Sequence, residues 1–209
     1  MKKIFTTVCI LLGIYSFTHA QTTQKLNAGK TEIGFGLGIN GAYITQNAEY
    51  SSSTGLIWGF TGYLSAEHYL NDQFGIKIKA IYDPKGLGNG FRQDASKTVT
   101  GVYFPIKYIT VPVTLNWHFG QEKNWYAMAG PYVGFLLSAN DDYDHENLKS
   151  QFKSTDVGGD LGLGLQFPVS DKLNFFLEYD GQIGFTNILA NSKSGAENFR
   201  SAFTVGLKF

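Results

Sequence analysis

The sequence predicts an all-β fold, an eight-stranded antiparallel up-and-down transmembrane β-barrel with short periplasmic turns and long external loops. Three observations predict it. Stretches of alternating apolar and polar residues recur about eight times, and a side-chain period of two is the mark of a two-faced strand. The connections between them alternate strictly between short and long, so all short turns fall at one end of the sheet and all long loops at the other. Aromatic residues gather at the ends of the stretches, where interface girdles sit.

The first strand is expected over residues 31–44, with Ile33, Phe35, Leu37 and Ile39 on one face and Gly34, Gly36, Gly38 and Asn40 on the other. The second, 56–70, sets Leu64, Ala66 and Leu70 against Tyr63, Ser65, Glu67 and Tyr69. The third, 73–82, sets Phe74, Ile76, Ile78, Ala80 and Tyr82 against Lys77 and Lys79. The fourth, 107–119, carries Ile109, Val111, Val113, Leu115, Trp117 and Phe119 opposite Thr110, Thr114, Asn116 and His118. The fifth and sixth cover 124–138 and 156–167. The seventh, 172–187, contains the clearest alternation, KLNFFLEYDGQIGF: Leu173, Phe175, Leu177, Tyr179, Ile183 and Phe185 against Asn174, Glu178, Asp180 and Gln182. The eighth, 199–209, sets Phe199, Phe203, Val205, Leu207 and Phe209 against Arg200, Thr204 and Lys208. Pro112 and Pro131 lie inside strands and lack a ladder N–H, so a bulge or local widening is expected at each.

The short turns are Asn71-Asp72, Gly120-Gln121-Glu122-Lys123 and Ser170-Asp171, and the long loops are 45–55, 83–105, 139–155 and 188–198. An even number of strands returns both ends to the periplasmic side.

The chain opens MKKIFTTVCILLGIYSFTHAQ, with Lys2 and Lys3 ahead of an apolar run and Thr18-His19-Ala20 before Gln21, the pattern of a secretory signal peptide cut after Ala20. The expected organisation is a signal peptide at 1–20, a short periplasmic segment at 21–29 and the barrel at 30–209. Cys9 leaves with the leader, so disulfides and thiolate metal sites are excluded from the mature chain. Loss of Lys2 and Lys3 turns 17 basic against 17 acidic residues into a slight acidic excess, which gives nucleic acid no electrostatic footing. Twenty-five glycines, 12 tyrosines and 17 phenylalanines suit β-structure with close backbone approaches. Beyond the leader no apolar run is long enough for a membrane helix, so any crossing is made by strands.

In a soluble lipocalin-like barrel the apolar faces would point inward; in an outer-membrane barrel they point to lipid. Strand length and the aromatics Tyr69, Phe74, Tyr82, Trp117, Phe119, Trp125, Phe167, Phe185, Phe199 and Phe209 at strand ends favour lipid. The inward glycines Gly34, Gly36, Gly38, Gly158, Gly162 and Gly164 are then expected to make room for long polar chains of neighbouring strands.

The inward register collects Glu67, Lys77, Lys79, His118, Asp160, Glu178, Asp180, Arg200 and Lys208. Charges in a narrow lumen must pair, so a lumenal network that fixes register is expected ahead of a selective conduit. No Ser-x-His or His-x-Ser spacing places a hydroxyl beside His68, His118 or His145, which leaves catalysis to cross-strand geometry. The acidic loop from Asn140 to Glu146 reads as a solvated loop; it has the oxygen density of a Ca²⁺ site without the EF-hand spacing. Gly34-x-Gly36-x-Gly38 is strand alternation rather than a dinucleotide fingerprint, because no helix follows.

The segments YITVPVTLNWHFG, WYAMAGPYVGFLLSA, DVGGDLGLGLQF, FFLEYDGQIGFTNI and the terminal VGLKF resemble the PorT-like, porin-family outer-membrane β-barrel domain from about Gly29 onward. The resemblance implies a barrel in the outer membrane of a gram-negative bacterium, reached by Sec export, with Phe209 in the place of the signal read by the barrel-assembly machinery. The family's Arg-Tyr pair in the seventh strand is here Glu178-Tyr179. The expected role is non-enzymatic: structural, surface-contact, or accessory to envelope transport or secretion. The expected partners are outer-membrane lipid and the assembly machinery, with the chain a monomer and no cofactor. The alternatives are an outer-membrane lipid-modifying enzyme and a soluble periplasmic binder.

Overall fold

A computed structural model describes residues 28–46, 55–93, 98–140, 142–143, 146–190 and 195–209. The leader, Cys9 and His145 lie outside the described residues. Eight strands form one closed antiparallel ring in chain order: β1 (Thr31–Gln46), β2 (Ile57–Tyr69), β3 (Phe74–Gln93), β4 (Thr98–Phe119), β5 (Trp125–Ala139), β6 (Thr155–Ser170), β7 (Leu173–Gly184) and β8 (Ala196–Lys208). The ladder between β1 and β8, from Gly34↔Lys208 to Gln46↔Ala196, closes it. Ile33 and Phe209 add a reciprocal backbone pair at 2.8 Å each way.

The apolar faces point outward. Leu37, Leu64, Leu115, Leu161 and Tyr179 are exposed, while Glu67, Lys77, Lys79, Glu178 and Arg200 are buried inside the ring. Trp117 and Phe119 (centroids 4.9 Å apart), Phe119 and Trp125 (6.5 Å) and Phe167 and Phe175 (6.4 Å) make one girdle near the short turns. Tyr43 stacked on Phe199 at 5.2 Å belongs to a second girdle toward the loops. On β4 the outward face runs over about ten residues from Trp117 to Lys107, roughly 25 Å at the strand rise and tilt of such barrels, which matches the lipid-facing band. Tyr69 does not belong to the girdle: the even count from Glu67 turns its ring inward, where it is fully buried.

The turns hold by local chemistry. Asn71 Oδ1 accepts from the N–H groups of Gln73 and Phe74, both at 2.8 Å, and Gly120 takes the left-handed φ of +86° that opens the β4–β5 turn.

Several boundaries differ from the sequence expectation. Residues 83–105 are for the most part not a loop but the outer halves of β3 and β4, paired from Asp83↔Tyr108 to Gln93↔Thr98 through a bulge near Gly90. Proline and glycine there read as turn signals, yet the β4 partner carries the ladder through them, and Gly86 bends at φ +132° to allow it. The seventh strand stops at Gly184 and the eighth starts at Ala196. Pro112 pairs with Tyr132, and the β4–β5 register on either side of it is the same, so no residue is inserted there.

Among the lumenal glycines Gly34 makes room for the Lys208 stem as expected, whereas Gly36, Gly158 and Gly164 receive rings. Gly36, Gly164, Gly158 and Gly206 are directly paired with Tyr63, Tyr126, Tyr132 and Phe176. A Cβ at Gly36 would lie 2.7 Å from the Tyr63 ring, and one at Gly164 would lie 2.1 Å from that of Tyr126. Each ring lies flat on the backbone of its partner, the close approach that only glycine permits.

The β2–β3 ladder stops early. It runs from Tyr69↔Gly75 to Gly62↔Tyr82, although both strands continue outward; the next pairing is the isolated bridge Gly55↔Gly88.

Candidate functional site in the barrel lumen

The interior is built in tiers. Nearest the short turns, Lys208 Nζ donates to Glu67 Oε2 (2.8 Å), Tyr69 OH (2.8 Å) and Gln166 Oε1 (3.2 Å), and pairs with Glu32 at 3.2 Å. Glu67 Oε1 also meets His118 Nε2 at 2.7 Å and accepts from Asn116 Nδ2 at 3.1 Å. Glu32 accepts from Tyr69 OH at 2.8 Å and from Lys30 at 2.7 Å.

The middle tier converges on Glu178. Lys77 and Lys79 each donate to it at 2.6 Å, and the hydroxyls of Tyr63 and Tyr126 each donate at 2.9 Å. The glycine-seated rings explain this convergence, because Tyr63 and Tyr126 lie flat only where Gly36 and Gly164 give them room. The Lys77 ammonium stands 5.1 Å from the Tyr126 ring centre and 5.6 Å from that of Phe176, so the cation is held by ring faces as well as by the carboxylate. Two cations on one buried carboxylate are tolerable only because every lone pair of that carboxylate has a donor.

The next tier is centred on Arg200. Its guanidinium bonds Asp180 and reaches Asp83 Oδ1 at 2.7 Å, while Thr110 Oγ1 donates to Asp83 Oδ2 at 2.8 Å. Gln182 Nε2 donates to Asp160 at 3.0 Å. Above it, Asp156 Oδ2 accepts from Lys85 (3.1 Å), Tyr132 (3.2 Å) and Asn198 (3.0 Å). All nine residues singled out from sequence, Glu67, Lys77, Lys79, His118, Asp160, Glu178, Asp180, Arg200 and Lys208, thus sit in the lumen, spread over three tiers rather than around one point.

The polar column ends at an apolar cap. Ile44, Ile106, Tyr108, Leu136, Leu148 and Ile188 form a buried cluster, with Leu87, Phe104, Phe152 and Leu189 packed against it. The loops after β5 and β7 close over the barrel, joined by the bridge Phe152↔Leu189 and by Lys153 N–H donating to the Ile188 carbonyl at 2.7 Å. Sequence reasoning missed this cap, as well as Glu32, Asp83, Lys85 and Asp156. Asp83 and Lys85 continue the register of Lys77 and Lys79, so that signal was present and was masked by Pro84 and Gly86.

Of the described histidines, His68 has its Nδ1 2.9 Å from Thr31 Oγ1 at the exposed surface, and His118 lies in the lumen. His118 Nε2 meets Glu67 and its Nδ1 meets no hydrogen-bond partner, so no hydroxyl is activated by it. Among the described residues no group of three or more His, Cys, Asp or Glu side chains is placed to hold a metal ion.

Closed ring, outward apolar band with two girdles and polar interior together define an outer-membrane β-barrel. The chain belongs to the outer membrane protein beta-barrel domain family, whose model matches residues 19–190. It is similar in fold to Ail, the attachment invasion locus protein of Yersinia pestis, at 14% identity over 87% of this chain and 99% of that one, with a TM-score of 0.43. Neisserial surface protein A is similar at 12% identity over 84% of this chain and 95% of that one (TM-score 0.48), and OprG of Pseudomonas aeruginosa at 12% over 88% and 98% (TM-score 0.45). No curated protein matches the sequence.

Proposed function

We propose that this barrel is a non-enzymatic outer-membrane scaffold, closed along its axis, whose role is to make surface contacts through its external loops and the β3–β4 hairpin. The observation that carries this reading is the filled lumen: Glu178 with its four donors blocks the middle, and the Leu148–Ile188 cap covers the external mouth. A conduit would need an open bore, and eight strands leave an interior that side chains fill. β4 extends past Lys107 to Thr98, placing the hairpin beyond the lipid band.

In this reading the chain is exported through Sec, loses its leader after Ala20, is inserted by the barrel-assembly machinery acting on Phe209, and works as a monomer in contact with outer-membrane lipid. The five segments that resemble the PorT-like group make envelope secretion components the contact of choice. Conductance of the purified barrel in planar bilayers tests the closed axis: the expected trace is flat, and reproducible current steps would overturn it. Replacing residues 89–101 by a two-residue turn tests the contact role; partner capture should be lost while the barrel still folds.

A further inference from the structure

The lipid-facing wall changes character at its outer edge between β4 and β6. Lys107 is exposed and ends the outward row of β4 that begins at Trp117. It pairs with Ser138, whereas the next pair is Tyr108 with Leu136, so Leu137 is an extra residue in β5. Directly paired residues share a face, so Ser138 lies on the outward side with Lys107, while Tyr108 and Leu136 are buried inside. The bulge therefore puts two consecutive residues, Leu137 and Ser138, on the outer surface.

A second lysine joins from the other side. The Leu136 N–H donates to the Ser154 carbonyl at 2.9 Å, which carries the β5–β6 alignment one residue beyond Phe135↔Thr155 and sets Lys153 beside Leu137. Lys153 is exposed, and it keeps the outward register of Thr155 and Val157. Neighbouring strands lie about 4.8 Å apart, so the Cα atoms of Lys107 and Lys153 are about 10 Å apart, a gap that two flexible four-carbon stems close to bring both ammonium groups onto one anion. Among the described residues neither ammonium has an ion-pair or hydrogen-bond partner, whereas Lys77, Lys79, Lys85 and Lys208 in the lumen are all paired.

No acid shares this patch. The outward residues around the two lysines are Pro84, Ile109, Phe135, Leu137, Ser138 and Thr155. Asp83 and Asp156 face the lumen, where Arg200 and Lys85 hold them. Asp142 stands farther out, accepting from the Tyr103 N–H at 2.9 Å, and Glu146 lies past the Asn140↔Asn147 bridge beyond the end of β5. On the membrane side the patch borders Phe135 and Leu137, 48% and 46% exposed. Two cations and a hydroxyl thus crown an apolar surface at the level where hydrocarbon gives way to headgroups.

We propose that Lys107, Lys153 and the Ser138 hydroxyl bind the headgroup phosphate of an outer-leaflet lipid, whose acyl chain lies on Phe135 and Leu137. The cations match the phosphate charge, and the hydroxyl adds a donor between them. A free phosphate would engage the lysines and leave the apolar floor uncovered, so the lipid is the occupant that uses the whole patch. The opposite rim has no such group: Lys123 and Lys172 lie in separate turns, each next in sequence to an acid, Glu122 or Asp171. The site rests on the lipid contact of the scaffold reading and deepens it, and it stands whether or not the loops bind a partner.

Native mass spectrometry of the intact folded barrel in a neutral detergent tests this by counting bound lipid. The probes are monophosphoryl lipid A and the same lipid with its phosphate removed. The wild-type barrel should retain the phosphorylated form about tenfold better, as expected for two lysines acting on one phosphate near a surface. Lys107→Gln with Lys153→Gln should bring the two forms level, and Ser138→Ala should lower the preference about threefold by removing one donor. Lys123→Gln with Lys172→Gln removes the same charge at the opposite rim and should leave the preference unchanged. Folding of each variant is checked by its heat-dependent shift on a gel, and all five sites are at the surface. No preference in the wild type, a preference that survives the Lys107 and Lys153 substitutions, or an equal loss in the control pair would overturn the proposal. So would displacement of the lipid by an equal concentration of inorganic phosphate, which would assign the lysines to the free anion. Tryptophan quenching by brominated acyl chains reports lipid contact without using either lysine, so quenched tryptophans together with no phosphate preference would sink this site and leave the lipid-facing reading standing.

Discussion

Glu178→Gln removes the negative charge on which the middle tier depends. Lys77 and Lys79 each lie 2.6 Å from that carboxylate and are fully buried, so the substitution leaves two ammonium groups facing a neutral amide in the centre of the barrel. Breaking one buried ion pair by removing a partner costs about 3–5 kcal/mol, because the surviving charge is left uncompensated. The two pairs share one carboxylate and are not additive, and the hydroxyls of Tyr63 and Tyr126 can still bond the amide, so about 4 kcal/mol is expected in all. With a urea dependence of about 2 kcal/mol per M, the unfolding midpoint should fall by about 2 M. Equilibrium urea unfolding in lipid vesicles, read by the folded band on an unheated gel, measures this. A companion variant, Glu178→Gln with Lys77→Met and Lys79→Met, removes the stranded ammonium groups while keeping an acceptor for the Tyr63 and Tyr126 hydroxyls, and should recover most of the loss, since a buried ionic cluster is commonly matched by a packed apolar one. A midpoint moved by less than about 0.3 M in Glu178→Gln, about 0.6 kcal/mol at that slope, would refute the reasoning that Glu178 is the hub.

Other substitutions have equally definite outcomes. Gly164→Ala sets a methyl against the Tyr126 ring and should destabilise the barrel by about 1–3 kcal/mol in the same urea assay, whereas Gly181→Ala, whose nearest new neighbour is 3.8 Å away, should change little. Leu148→Ala in the cap should cost about 2 kcal/mol or more. It should also speed hydrogen exchange at the N–H groups of Leu148 and Lys153 while leaving the β5–β6 ladder protected. His118→Ala takes from Glu67 one of its donors but leaves Lys208 and Asn116 in place, so the fold should persist and any activity assigned to the barrel should survive.

The alternation of residues 172–185 separated an apolar face from a charged one, because a period of two admits only two registers, and strand length with the aromatics at strand ends turned the apolar face to lipid. The strand number and the short turns were legible for the same reason, with Asn71 and Gly120 marking two of the turns. What was not legible depends on neighbours. Pro84 and Gly86 look like a strand's end, and only pairing with Lys107 and Pro105 keeps β3 extended through them. Tyr69 reads as a girdle aromatic by its place at the strand end; the register set by Glu67 puts it on Lys208. The apolar cap draws Ile44, Ile106, Leu148 and Ile188 from four separate parts of the chain, two of them in loops, and no local pattern links them. The glycines were rightly placed inward, but the identity of what fills their space is a matter of cross-strand register, which fixes Tyr63 on Gly36 and Tyr126 on Gly164.

The central claim is that the apolar faces meet lipid, and tryptophan quenching by brominated acyl chains tests it most directly. Trp58, Trp117 and Trp125 are 68%, 48% and 44% exposed on the outer face. In vesicles of brominated lipid all three should be strongly quenched relative to ordinary lipid, and each single-tryptophan variant should show the same. Unquenched fluorescence from a protein that remains folded would place the tryptophans away from the bilayer and contradict the account.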